Sequence, residues 1–355
     1  MKLALRIDHE SNADSFRPGD WLRGTLEIRG CLFKHPPRIT ATLWGRLIVR
    51  LSPEGNGCCP TEHHHALFEQ SKELEVSQST VVKDKPNSCV YLCPMEFKFP
   101  TSINCTCPDA CQLPSTMTIH NGKLRVKSTY SLSATVERRV VGRVTRSYRV
   151  KREFPFICNP VIQNLPSLCA VAISADKLSR SGKLAPRESA ESNYEESLPL
   201  YSPSLQMEII LPQPPVLILG RGTPVKLVLH TPREIMQSAT IYVRSVKLQL
   251  KATISALPRS TWHSVTDTRL GNTISGAVPI KSEHFQLELG AWGMLMAMQS
   301  RPSLNSCLLK VAYSLEVVTG LSNGLEGPIQ YLTASLDVLV MDPPPPYEAV
   351  VPNVL

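Results

Sequence analysis

The chain has 355 residues, a formal net charge of +8, 42% apolar and 19% charged residues, and 30 prolines. That length exceeds one compact core of ordinary size and implies two domains, while the proline content disfavours long helices and points to an all-β chain. No apolar run approaches the roughly 18 residues of a spanning helix, and Arg6 and Asp8 break the start before a signal-peptide core could form, so a soluble, cytoplasmic protein is expected.

In chain order, Leu3, Leu5 and Ile7 alternate with polar residues as a half-buried strand does. Phe16-Arg17-Pro18-Gly19-Asp20 then makes a turn in which Gly19 supplies a positive φ. Strands are predicted over Thr25 to Arg29 and Ile39 to Val49, the second with Leu43 on one face and Trp44 on the other. Ser52 to Thr61, rich in Pro, Gly and Cys, reads as a loop, and Lys72 to Val82 as a weak strand. Val90 to Phe99 resumes the alternation. The strongest period runs from Lys123 to Val136: Leu124, Val126, Tyr130, Leu132, Ala134 and Val136 form a core face, and Lys123, Arg125, Lys127, Thr129, Ser131, Ser133 and Thr135 a wet one. Arg143 to Phe154 is expected to pair with it through a turn at Gly142.

Residues 161–205 turn to Ser, Pro, Arg and Glu without period and read as a linker or long flexible loop. Strands restart at Gln206 to Leu211, Val225 to His230, Ile241 to Ile254, Glu283 to Leu289, Lys310 to Val318 and Ile329 to Met341. Trp292 to Met298 is the one helix-like patch and is counted as loop or edge. The expected organisation is one sandwich over residues 1–160, the linker at 161–205, a second sandwich over 206–342, and a proline-rich tail at 343–355, short and disordered. The halves share an order: a Gly-containing turn leads into a strand, and further on Tyr130-Ser131-Leu132 is matched by Tyr313-Ser314-Leu315.

The tail carries a recognition motif. Four prolines, Pro343 to Pro346, impose a stiff polyproline II helix, and Pro344-Pro345-Pro346-Tyr347 is a PPxY sequence of the kind that docks in the aromatic groove of WW domains. Leu198, Pro199 and Tyr201 belong to an LPxY, a looser candidate for a secondary motif that would act by avidity.

Between Lys123 and Arg152 lie Lys123, Arg125, Lys127, Arg138, Arg139, Arg143, Arg146, Arg149, Lys151 and Arg152, against a single acid, Glu137. Such a patch attracts an anionic membrane surface or an acidic or phosphorylated peptide; no nucleic-acid reader motif is visible, so nucleic acid is not expected. The plainer reading is a solvated strand face. Eleven cysteines without an export signal are read as reduced thiols. Cys58 and Cys59 with His63, His64 and His65 form one soft-ligand group, and Cys89, Cys93, Cys105, Cys107 and Cys111 another. Neither has paired CxxC spacing, so no metal and no cofactor is expected. GxSxG, HExxH and a phosphate-cradling loop are absent, and no catalytic residues are assigned.

The turn Phe16 to Ile28 (FRPGDWLRGTLEI), the Leu113-Pro114-Ser115 segment ahead of the Tyr130-x-Leu132 strand, the second sandwich and the terminal PPPY together resemble the arrestin family, in particular the α-arrestins or arrestin-related trafficking adaptors. The resemblance implies two tandem immunoglobulin-like β-sandwiches and a non-enzymatic adaptor. It would bind a HECT-type ubiquitin ligase through PPxY–WW contact and link it to the cytosolic tails of membrane transporters or receptors, promoting their ubiquitination and endocytosis. It further implies recruitment from the cytoplasm to plasma membrane or endosomes. The alternative is an arrestin-like signalling scaffold that binds a receptor tail without recruiting a ligase.

Overall fold

A computed structural model describes residues 1–8, 15–30, 37–52, 60–75, 80–85, 88–107, 111–141, 144–160, 165–174, 204–219, 221–287 and 301–342. Among them are nineteen strands and a single short helix, so the chain is all-β, arranged as two sandwiches of mostly antiparallel sheets.

In the first sandwich one sheet has the order β1 (Lys2–Asp8), β2 (Trp21–Gly30), β6 (Ser88–Lys98), β5 (Thr80–Lys85). The facing sheet has the order β4 (Thr61–Leu74), β3 (Arg38–Leu51), β8 (Leu124–Val141), β7 (Met117–Asn121), with β9 (Val144–Phe154) also on β8. The side-chain period of two sends Leu22, Leu26, Ile28 and Phe97 of one sheet and Leu43, Leu47, Tyr130 and Leu132 of the other into a shared core. Each such apolar side chain contributes about 1.5–3 kcal/mol on burial. At the centre Phe99 contacts the rings of Phe16, Phe68, Tyr130, Phe154 and Phe156 at centroid distances of 5.2 to 6.5 Å.

The turn before β2 has the expected chemistry. Gly19 has φ 85°, Asp20 N–H donates to Arg17 C=O, and the Asp20 carboxylate accepts from Arg17 N–H at 2.7 Å. Gly19 N–H and Asp20 C=O then bond the backbone of Phe99, which ties the turn to the aromatic centre.

In the second sandwich β10 (Leu168–Ser174), β11 (Ser204–Ile210), β13 (Lys226–His230) and β16 (His284–Leu287) form one sheet. The other runs β12 (Val216–Ile218), β19 (Gln330–Met341), β18 (Leu309–Asn323), β14 (Ile241–Ala256), β15 (His263–Pro279), with β17 (Leu304–Asn305) on β18. The stepwise set Val246, Leu248, Leu250, Ala252 and Ile254 is buried, opposite Val311, Tyr313, Leu315 and Val317 of β18.

Several expectations require amendment. The fourteen-residue strand β4 begins at Thr61, the end of the segment read as loop, runs through Glu62 to Ser71, for which no strand was expected, and takes in Lys72 to Leu74 of the weak strand; its polar run is tolerated because it lies at the edge of its sheet. The 161–205 stretch, expected to be a linker, contributes β10 to the second sandwich by pairing with β11 from Leu168↔Ile210 to Ser174↔Ser204. The short helix α1 (Arg233–Ser238) follows Thr231-Pro232, with Glu234 in its first turn. Pro232 before an acidic first turn was the available signal. Trp292 to Met298 and the turn at Gly142 lie outside the described residues.

The wet face assigned to β8 is open only in part. Thr129, Ser131 and Ser133 are buried. Their small side chains sit beside Trp44, which lies opposite Ser131 on β3, and the indole is in turn covered by Arg46 at 4.3 Å and Lys151 at 4.5 Å.

Candidate functional site

Pro344, Pro345, Pro346 and Tyr347, and the secondary Leu198, Pro199 and Tyr201, lie outside the described residues. What the structure does describe is the strand on which the first motif follows: β19 ends at Met341, a central strand whose Leu336, Val338 and Val340 are buried.

The basic run does not form one patch. On β8 and β9, register places Arg125, Lys127, Arg149 and Lys151 on the outer face of the sheet, where all four are exposed. Arg146 and Arg152 fall on the opposite face, with Arg138 directly across from Arg146. Arg152 turns to the edge of the neighbouring sheet, 3.5 Å from Leu5 C=O. Lys123 precedes β8 and is exposed at the end of the outer face, while Arg143 and the side chain of Arg139 lie outside the described residues.

The outer face gains cations that the contiguous run did not contain. Arg46 and Arg50 come from β3, and Arg50 stands directly opposite Arg125. Like charges paired across strands are unfavourable, and the one acid beside them, Glu62, sits opposite Arg50 on its other side. Arg50, Arg125, Lys127, Glu62 and Ile48 line a surface hollow of about 190 Å³. Farther along the face Lys151 binds the Glu153 carboxylate at 2.6 Å and holds its pKa below the ordinary value. The result is a shallow cationic surface suited to phosphate or carboxylate groups.

The cysteine groups are rearranged more strongly. Cys89 and Cys93 are buried on β6, and burial pushes the Cys93 thiol up. Cys58 and Cys59 lie outside the described residues, and His63, His64 and His65 alternate along β4, so neighbours in sequence point to opposite sides of the sheet. His64 reaches Glu62 at 3.0 Å. His65 is held below its ordinary pKa first by burial, then by His63 and His64; the Pro258 backbone from the second sandwich opposes this.

Cys105, Cys107 and Cys111 come together, and a fourth thiol, Cys307 of the second sandwich, joins them. The four sulfur atoms lie within 4.8 Å of one another, the only group of three or more metal-ligating side chains so placed among the described residues. Two local devices build this arrangement. Ile103 N–H donates to Cys111 C=O at 2.8 Å, which brings the two ends of the cysteine loop together. Ser306 Oγ donates to Leu309 C=O and accepts from Leu309 N–H, forming the tight turn between β17 and β18 that carries Cys307. The Cys107 amide, followed by the Cys111 thiol, lowers the Cys105 pKa to about 7, whereas burial pushes Cys307 well up. Sequence spacing could not reveal the fourth member, because Cys307 is in the other half of the chain.

The sandwiches meet beside this cluster. Arg301 Nη2 donates to Thr118 C=O at 3.4 Å, and a cavity of about 430 Å³ is lined by Gln112 and Pro160 on one side and Leu304, Lys310, Tyr313 and Asp337 on the other. No helix among the described residues is long and apolar enough to cross a membrane. No family model matches the chain, and no curated protein matches it in sequence.

Proposed function

We propose that the chain is a non-enzymatic adaptor that binds a WW-domain HECT ubiquitin ligase and brings it to the cytosolic tails of membrane transporters or receptors, for their ubiquitination and endocytosis. The observation that carries the reading is the PPxY at Pro344 to Tyr347, which follows closely in sequence on β19 of the second sandwich. A hook that follows such a strand in the chain is carried by a folded domain, which suits a chain that must orient two partners. The outer face of β3, β8 and β9 is the complementary contact. Its shallow surface, with Arg50, Arg125 and Lys127 around one hollow, fits an acidic or phosphorylated tail and an anionic leaflet.

A short peptide of this type reaches about micromolar affinity, near −8 kcal/mol, and contacts to cargo and membrane add to it. The test is calorimetric titration of a HECT-ligase WW domain into the full chain and its Tyr347→Ala variant. Micromolar binding lost in the variant is expected. Equal binding in both proteins, or none in either, would remove the ligase from the reading and leave a signalling scaffold that binds a receptor tail.

A further inference from the structure

We propose that Cys105, Cys107, Cys111 and Cys307 form a tetrathiolate zinc site that fastens the first sandwich to the second. The geometry is close to what the ion needs. Zinc–sulfur bonds of about 2.3 Å in a tetrahedron put sulfur atoms about 3.8 Å apart, and here all four fall within 4.8 Å. Side-chain rotation of a few tenths of an ångström at each residue closes that gap.

The donor set selects the metal class. Four thiols without a carboxylate or carbonyl favour a soft or borderline ion and disfavour magnesium or calcium. Four protein ligands leave no open coordination position, which makes the site structural and not catalytic. Support around the ligands is present as well. The Ile103 amide holds the Cys111 carbonyl at 2.8 Å, and the Ser306 hydroxyl holds the turn at Cys307 through both the N–H and the C=O of Leu309.

The three ligands of the first sandwich sit on the loop after β6, and the fourth on the β17–β18 turn. An ion at their centre would therefore close a covalent-like bridge across the junction where Arg301 already meets Thr118 and His65 meets Pro258. Binding deprotonates the thiols and couples metal affinity to the docked arrangement of the two sandwiches.

The test is elemental analysis of the full chain, purified under reducing conditions, alongside Cys307→Ser, Cys111→Ser and the control Cys169→Ser. One equivalent of zinc is expected in the parent and the control, falling to less than about a fifth in the two ligand variants. Because a ligand variant could fail to fold, the zinc-stripped parent is also titrated with cobalt(II) alone. Saturation at one equivalent, with intense visible bands of tetrahedral cobalt and sulfur-to-cobalt charge transfer, is expected. The proposal is overturned by a reduced, folded parent that takes up neither ion. It is equally overturned by iron in place of zinc, by full zinc retention in Cys307→Ser, or by a disulfide among these cysteines in metal-free protein.

Discussion

Tyr130 and Tyr313 occupy matching places in the two sandwiches, and replacing each by Phe separates what the ring contributes from what the hydroxyl does. Tyr130 is fully buried, stacked on Phe156 at 4.3 Å, and its hydroxyl donates to Pro114 C=O. Burial raises its pKa well above the ordinary value, so it remains a donor at all physiological pH values. Phe fills the same space and opens no cavity; the cost is a buried carbonyl left without its partner, about 1–2 kcal/mol. For a domain of this size that lowers the melting midpoint by about 3–8 °C.

Tyr313 accepts from Arg301 N–H at 2.9 Å and donates to Arg301 C=O at 2.7 Å, two bonds where Tyr130 makes one. Arg301 is exposed, however, and water can replace the lost hydroxyl there, so Tyr313→Phe is expected to cost less than about 1 kcal/mol. Differential scanning calorimetry of the full chain and both variants measures the shifts. A Tyr313→Phe shift equal to or larger than that of Tyr130→Phe would refute the reasoning, because bond number and not burial would then decide the cost.

Two further outcomes follow from charge. Glu27 is buried on β2 between Arg29, which lowers its pKa most, and Arg6 at 2.8 Å. Its stabilisation, about 1–2 kcal/mol given that both arginines are open to water, is fully present above the carboxylate's ordinary value of 4.5 and is lost as pH falls from there through the lowered native pKa. Urea midpoints of the parent and Glu27→Gln should therefore differ at pH 7 and converge toward pH 3; a constant gap contradicts the ion-pair account. Replacing Arg125 and Lys127 by Ala removes two cations from the outer face. At about 1 kcal/mol each this should weaken binding to phosphatidylserine vesicles roughly thirtyfold at low salt, and unchanged co-sedimentation would show that the face makes no membrane contact.

Much of the fold was legible because the side-chain period of a strand is a local property. The runs Leu124 to Val136 and Val246 to Ile254 announce a core face whatever they pair with, and Gly19 announces its turn. The all-β class followed, as did the like order of the two halves, which the structure expresses as Tyr130 and Tyr313 each bonding a backbone carbonyl of an upstream segment. Edge strands were harder to read. β4 carries His63 to Glu69 with little apolar alternation, and β10 sits in a stretch of weak period, because an edge strand is defined by the neighbour it pairs with more than by its own composition.

The candidate sites divide along the same line. A polyproline motif is contiguous, its recognition chemistry resting on fixed φ angles and an adjacent ring, so Pro344 to Tyr347 can be read directly from the chain. A charged face is only half contiguous: β8 and β9 could be read, but Arg46 and Arg50 enter by cross-strand register, and Arg146 and Arg152 leave it for the same reason. The four-thiol cluster is the extreme case. Cys105, Cys107 and Cys111 are neighbours by sequence, whereas Cys307 reaches them only because one sandwich docks on the other. That approach is set by the packing of the two bodies, which no local pattern encodes.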